Sequence, residues 1–175
     1  RGMLRRLCER QKAVIVHNAA AEGAVRAHAP NVRVERIAHL FAVPREHFYK
    51  EIDDHRQLIL GVGPDRSECC VFAILGHLRP TKRMDVVLDA FLALRQRGLR
   101  ARLVIQGAFV DPAFERALSS RLTQSDVLRL GYLDEAEWWM LAHSLDVVVN
   151  LRWPLAGESS GITTRLMGIG RPVIV

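Results

Sequence analysis

Two short segments of the 175-residue chain combine residue types that can hold an anion beside a hydroxylated group. The first, Gly76-His77-Leu78-Arg79-Pro80-Thr81-Lys82-Arg83, follows the continuous apolar run Cys70–Leu75. The second leaves the run Asp146–Asn150, crosses Pro154 and Gly157, and reaches Glu158-Ser159-Ser160-Gly161. Each reads as a strand that turns through glycine into a helix. A small-residue loop entering a helix leaves backbone N–H groups without intrahelical partners, and such groups bind anions. Ser160 is of the type that caps a helix, with the N–H groups of Gly161, Ile162 and Thr163 behind it. Glu158 adds a carboxylate that accepts hydrogen bonds from hydroxyls. Lys82 and Arg83 fall at the expected start of a helix, where the dipole disfavours a cation by about 0.3–1 kcal/mol. A nearby anion would explain them. Read alone, Lys82 is more often a lysine reaching into solvent, Ser160 an ordinary cap and Glu158 a solvated acid. Phosphate donors beside a hydroxyl acceptor suit a nucleotide sugar.

The elements that must position these loops alternate regularly. Strands are expected at 13–16, 32–37, 70–75, 102–105, 127–130, 146–150 and 172–175. Helices are expected at 19–28 behind an Asn18 cap, 83–97, 111–122, 137–144 from Asp134 or Glu135, and 161–169. Residues 38–68 lack a strand pattern and suggest a linker with one short helix near Arg56–Leu60. This alternation predicts an α/β fold, a doubly wound parallel sheet of Rossmann type, incomplete at both ends. The common order 3-2-1-4-5 places strand 70–75 beside strand 146–150, at the point where such sheets bind ligands. Two loops about seventy residues apart are thereby expected at one site.

A formal charge of +6 and a pI near 9.9 favour anionic partners. Aromatics make up 6% and do not alternate with the basic residues, so nucleic acid is not the expected partner. The basic start (Arg1, Arg5, Arg6, Arg10, Lys12) reads as a surface helix, with a membrane-surface face as the weaker alternative. No apolar run approaches the ~18 residues of a membrane span. Cys8, Cys69 and Cys70 suit a reducing compartment and core filling, since neighbours on a strand point to opposite faces. His39, His47, His55 and His143 lack metal-ligand spacing. His17 reads as a capping or core residue, with a place in an interdomain cleft as the weaker alternative, and Trp138 and Trp139 as one packed and one surface ring. The start at Arg1 and the stop at Val175 within an apolar run lead us to expect part of a longer protein.

Taken jointly, the motifs resemble the group 1 (family 4) glycosyltransferases of GT-B architecture. They are Gly76…Lys82 after the strand, Ala90-Phe91…Leu94, a strand ending in Gly107, the turn Gly131-Tyr132-Leu133-Asp134, the Glu158 loop and Gly170-Arg171-Pro172-Val173. The resemblance covers about 70–175 strongly and 10–65 loosely. It implies an N-terminal acceptor-side domain ending in 1–45, a linker at 46–68 and a donor-binding domain at 69–175. It also implies sugar transfer from a nucleotide-diphosphate sugar to a glycan or lipid-linked acceptor, retaining and metal-independent, with no cofactor beyond the donor. In that reading Lys82 and Glu158 are catalytic. Donor contacts come from Gly76, His77, Arg79, Lys82, Gly131, Tyr132, Leu133, Ser159, Ser160, Gly161, Ile162, Thr163 and Arg165. A cytoplasmic location, peripheral to the inner face of the membrane through the rest of the protein, is further implied. His77 stands where the family usually has Arg, and Arg165 where it has a second acid. Those two departures motivate an alternative, a noncatalytic nucleotide- or sugar-binding module. The span by itself is expected to bind donor weakly and to transfer nothing.

Overall fold

The computed structural model describes residues 2–39, 52–155, 157 and 159–175. The chain divides into two compact units, Arg1–Ala42 with Leu155–Thr164, and Val43–Pro154 with Arg165–Val175.

The first unit contains helix α1 (Gly2–Glu9), strand β1 (Val14–Val16), helix α2 (Ala19–His28) and strand β2 (Val34–Arg36). β1 and β2 pair in parallel, Val14 opposite Val34. Both are shorter than the periodicity predicts, although the ladder's bonds reach one residue past β2 at each end, Val14 N–H donating to the Arg33 carbonyl and Ile37 N–H to the Val16 carbonyl. Cys8, Ala29 and Val32 form its small core against Val14, Val25 and Val34. α2 begins as its sequence predicts: the Asn18 side chain accepts from the Ala21 N–H at 2.8 Å.

The second unit opens with helix α3 (Ile52–Leu58). This helix starts earlier than the expected 56–60. Asp53 and Asp54 favour an N-terminus there, and Ile52 and Arg56, one turn apart, are both buried. Strand β3 (Cys70–Leu75), helix α4 (Met84–Gln96), β4 (Ala101–Gln106), α5 (Pro112–Leu122), β5 (Val127–Leu130), α6 (Glu135–Ser144), β6 (Val147–Val149), α7 (Gly161–Gly168) and β7 (Val173–Ile174) follow. The five strands are all parallel in the order β5-β4-β3-β6-β7. Numbered within this sheet, that is the expected 3-2-1-4-5.

Period-2 alternation in β3 sends Phe72 and Ile74 to one face and Val71, Ala73 and Leu75 to the other. On the first face Ile74 packs with Met84, Val87, Leu88 and Phe91, the predicted apolar stripe of α4, and with Leu118 and Leu122 of α5. Burying each such side chain is worth about 1.5–3 kcal/mol. α6 starts with a capping box: Asp134 accepts from the Glu137 N–H, and Glu137 accepts from the Asp134 N–H. Asp134→Ala should cost about 1 kcal/mol, read as a lower urea midpoint at unchanged slope. Trp139 is buried and Trp138 half-buried, the division the sequence suggests.

The N-terminal end of β6 is fixed by charge. Asp146 accepts from the Val71 N–H at 2.8 Å and pairs with Arg56 at 3.3 Å and with Arg66. Arg56, fully buried, also donates to the Ser144 carbonyl.

Candidate functional site

The site lies at the C-terminal ends of β3, β4, β5 and β6. β3 and β6 are neighbours here although successive crossovers run away from them in opposite directions, which opens a crevice above the sheet. The chain leaving β3 turns at Gly76, whose φ of 87° suits glycine. Gly107, at the end of β4, is equally constrained. At φ 121° a Cβ there would lie 2.1 Å from the Gly76 carbonyl oxygen, so the two strand ends approach closely only as glycines. Gln106 joins them further: its side-chain carbonyl accepts from the Gly76 N–H, and its amide donates to the Gly131 carbonyl at 3.2 Å.

Beyond Gly76, Pro80–Lys82 form one 3-10 turn, and Arg83, at φ 51° and ψ 42°, caps α4 in the left-handed region. Lys82 therefore precedes α4 and does not open it as expected. What opposes its charge is burial, not the helix dipole. Lys82 is 5% exposed, so it does not reach into solvent. Its ammonium donates to the Leu75 carbonyl at 2.7 Å and to Asn150 Oδ1 at 3.0 Å. Burial, then the positive charges of Arg152 and Arg79, push it down to about 8 from 10.5. The loop after β6 is tied to the loop after β3 by the Trp153 N–H donating to the Thr81 carbonyl at 2.8 Å. The second loop's beginning and the whole first loop thus converge, as the topology predicts.

His77 and Arg79 are exposed. A cavity of about 300 Å3 is lined by Leu78, Ile105, Gly107, Arg129, Leu130 and Gly131. Tyr132 is 89% exposed and Leu133 half-buried beside this turn. Arg165 is engaged elsewhere in the second unit: it pairs with Glu135 at 3.2 Å and lies over the Trp138 and Trp139 rings at 5.4 and 5.6 Å.

In the first unit, Ser160 caps α7, its Oγ accepting from the Thr163 N–H at 3.3 Å. That contact engages one of the three amides named above. Those of Gly161 and Ile162 have no hydrogen-bond partner among the described residues. Asn18, besides capping α2, donates through Nδ2 to the Gly157 carbonyl at 2.7 Å and to Ser159 Oγ at 3.0 Å. His17 is exposed, its Nδ1 2.9 Å from the Ile37 carbonyl, with its ring 5.0 Å from that of His39. Glu158, His47 and the expected boundary at 45–46 lie outside the described residues.

The sequence reading missed Gln106, Asn150 and Arg152. The first two had a readable signal, since each is a polar residue that directly follows three apolar ones on the ligand side of the sheet. Among the described residues, no three His, Cys, Asp or Glu side chains could hold one metal ion. No described helix is long and apolar enough to cross a membrane.

The five-stranded parallel sheet defines a doubly wound α/β class of Rossmann type, and solved structures narrow it. The chain superposes on the Anabaena protein HepE, solved in complex with UDP-glucose, at TM-score 0.72 and 19% identity, covering 97% of this chain and 47% of that one. Sucrose-phosphate synthase from Thermosynechococcus elongatus matches at TM-score 0.72 and 15% identity, over 97% and 41%. WaaG, a glycosyltransferase involved in lipopolysaccharide biosynthesis, matches at TM-score 0.67 and 15% identity, over 91% and 42%. The chain therefore has the fold of group 1 GT-B glycosyltransferases and spans less than half of their length. No protein-family model matches the sequence, and no curated protein does.

Proposed function

We propose that the second unit binds the nucleotide diphosphate of a sugar donor, as part of a metal-independent, retaining glycosyltransferase acting on a glycan or lipid-linked acceptor. One observation carries this reading: a lysine, 5% exposed, is kept at the point where the strand order reverses, with Arg79 and Arg152 acting on it. A buried cation is repelled by the two others acting on it, and an oxyanion ligand removes that repulsion. Lys82 takes the diphosphate and stabilises it as it departs. The cavity beside Gly131 takes the base. Glu158 takes sugar hydroxyls, by resemblance. UDP-glucose, the ligand of HepE, is the first donor to try.

Calorimetric titration with UDP, GDP and ADP, with their sugar conjugates and with the parent nucleosides tests the reading. At least one diphosphate should bind more tightly than its nucleoside, and Lys82→Ala should remove the difference. Equal binding of nucleoside and diphosphate, or no binding, overturns it. The engagement of Arg165 by Glu135 and two tryptophans favours the second reading, a noncatalytic module, because internal contacts take up the position where the family has a hydroxyl-accepting acid. Equal affinity for a diphosphate and its sugar conjugate would select that module.

A further inference from the structure

Lys82 is held by a neutral amide at a position where a buried ammonium ordinarily finds a carboxylate. Asn150 is 3% exposed at the end of β6, and its Oδ1 lies 3.0 Å from the Lys82 ammonium. The second acceptor, the Leu75 carbonyl at 2.7 Å, belongs to β3, so the ammonium bridges the two strands that flank the crevice. Among the described residues, the charged groups acting on it are Arg152, from the loop after β6, and Arg79, from the loop after β3. Both are positive, and neither can accept a hydrogen bond. A carboxylate at position 150 would cancel the charge an anionic ligand needs. An apolar side chain would withdraw the acceptor and leave a desolvated cation beside two others. The amide fixes the direction of the ammonium and leaves its charge unspent.

We propose that Asn150 is a positioning residue for Lys82, its Oδ1 aiming the ammonium and keeping it protonated for an oxyanion ligand. The ligand half of this statement rests on the donor-binding reading above, and the Lys82–Asn150 coupling does not. Burial already brings Lys82 down to about 8, so its protonation near neutral pH has little margin. Hydrogen bonding to the charged form opposes that fall.

The test is a pH titration of the lysine Cε signals by NMR in the full chain. Lys12, Lys50 and Lys82 are the three lysines of the sequence, and Lys82→Arg assigns the signal. Asn150→Asp, with nearly the same shape, should raise the Lys82 pKa by about one pH unit or more, and Asn150→Leu should lower it. Asn150→Ser, which withdraws the acceptor without adding bulk, should also lower it and serves if the leucine variant does not fold. Calorimetry with inorganic pyrophosphate and UDP at pH 6.5 and 8.5 then reads the consequence. Asn150→Asp should bind roughly tenfold more weakly with little pH dependence, whereas Asn150→Ser should lose binding at a lower pH than wild type. A general packing defect would not move the titration in opposite directions for Asp and for Ser or Leu. Shifts of one sign, or none, overturn the proposal. Opposite shifts in a protein that binds neither pyrophosphate nor any nucleoside diphosphate would uphold the positioning role and remove the donor-binding reading.

Discussion

Replacing Lys82 with methionine should abolish the preference for phosphorylated ligands while leaving the protein about as stable at pH 7 as before. The binding half follows from the charge. An ammonium hydrogen-bonded to a diphosphate contributes about 1.5–3 kcal/mol, which is roughly tenfold to a hundredfold or more in affinity. The stability half follows from linkage. In the folded protein Lys82 titrates at about 8, against 10.5 unperturbed. Between those values the unfolded chain binds more protons than the native one, so wild-type stability rises with pH across that window. The rise attributable to this group is on the order of 3 kcal/mol. At pH 7 the buried charge is accordingly a cost, which methionine removes. Against that gain, the Leu75 carbonyl and Asn150 Oδ1 each lose a donor, at about 1–3 kcal/mol apiece, a combined range that spans the gain. The two nearly offset.

Urea unfolding of wild type and Lys82→Met at pH 7 to 10 checks this directly. Only the difference between the curves counts, because other groups, Cys70 with its thiol pushed up by burial among them, contribute equally to both proteins. Parallel curves would mean that Lys82 is not held as a desolvated cation. Ligand binding should show the opposite trend, strongest below pH 8 and declining above it as the ammonium loses its proton. A residue that costs folding energy at the pH where it is charged is the pattern expected where stability is exchanged for function.

Much of this was legible before any coordinates, for identifiable reasons. Strand β3 was readable to the residue because Cys70–Leu75 is an unbroken apolar run closed by a glycine that must take positive φ. α4 was readable because its buried positions, Met84, Val87, Leu88 and Phe91, recur at helical spacing. The strand order followed from crossover handedness, which needs no side-chain detail. What periodicity could not report was how charge is buried. Lys82 was singled out for its charge beside a glycine turn, but its partners come from the ends of two strands, and the left-handed Arg83 separates it from the helix it was expected to open. The donors of α7 were legible as a pattern, whereas the tie from Asn18 to Gly157 and Ser159 joins residues far apart in sequence and left no local trace. The segment containing Arg56 read as a linker for the same reason: its order comes from one long-range ionic cluster, not from an apolar stripe.

That cluster should be the most sensitive point of the second unit. Arg56→Ala is expected to cost about 3–5 kcal/mol, the range for removing one partner of a buried pair. Arg56 is fully buried and donates to Asp146, to the Ser144 carbonyl and, at 3.4 Å, to the Gly63 carbonyl, so one side chain joins α3 to the loop that follows it, the end of α6 and the start of β6. Without it Asp146, 12% exposed, keeps the Val71 N–H and Arg66, whose side chain is 38% exposed. An exposed cation screens a buried carboxylate poorly. If the penalty arises from the stranded charge, Arg56→Met combined with Asp146→Asn should lose less than the sum of the two single variants. If it arises from lost packing, the two losses should add. Denaturant unfolding of the four proteins decides between them, and a single-variant loss under 1 kcal/mol would show that the cluster does not hold α3 to the sheet. Because Asp146 also fixes where β6 begins, a structural loss should be felt at the other end of that strand. Arg56→Ala should therefore weaken diphosphate binding, even though Arg56 lies at the end of the sheet away from Asn150 and Lys82.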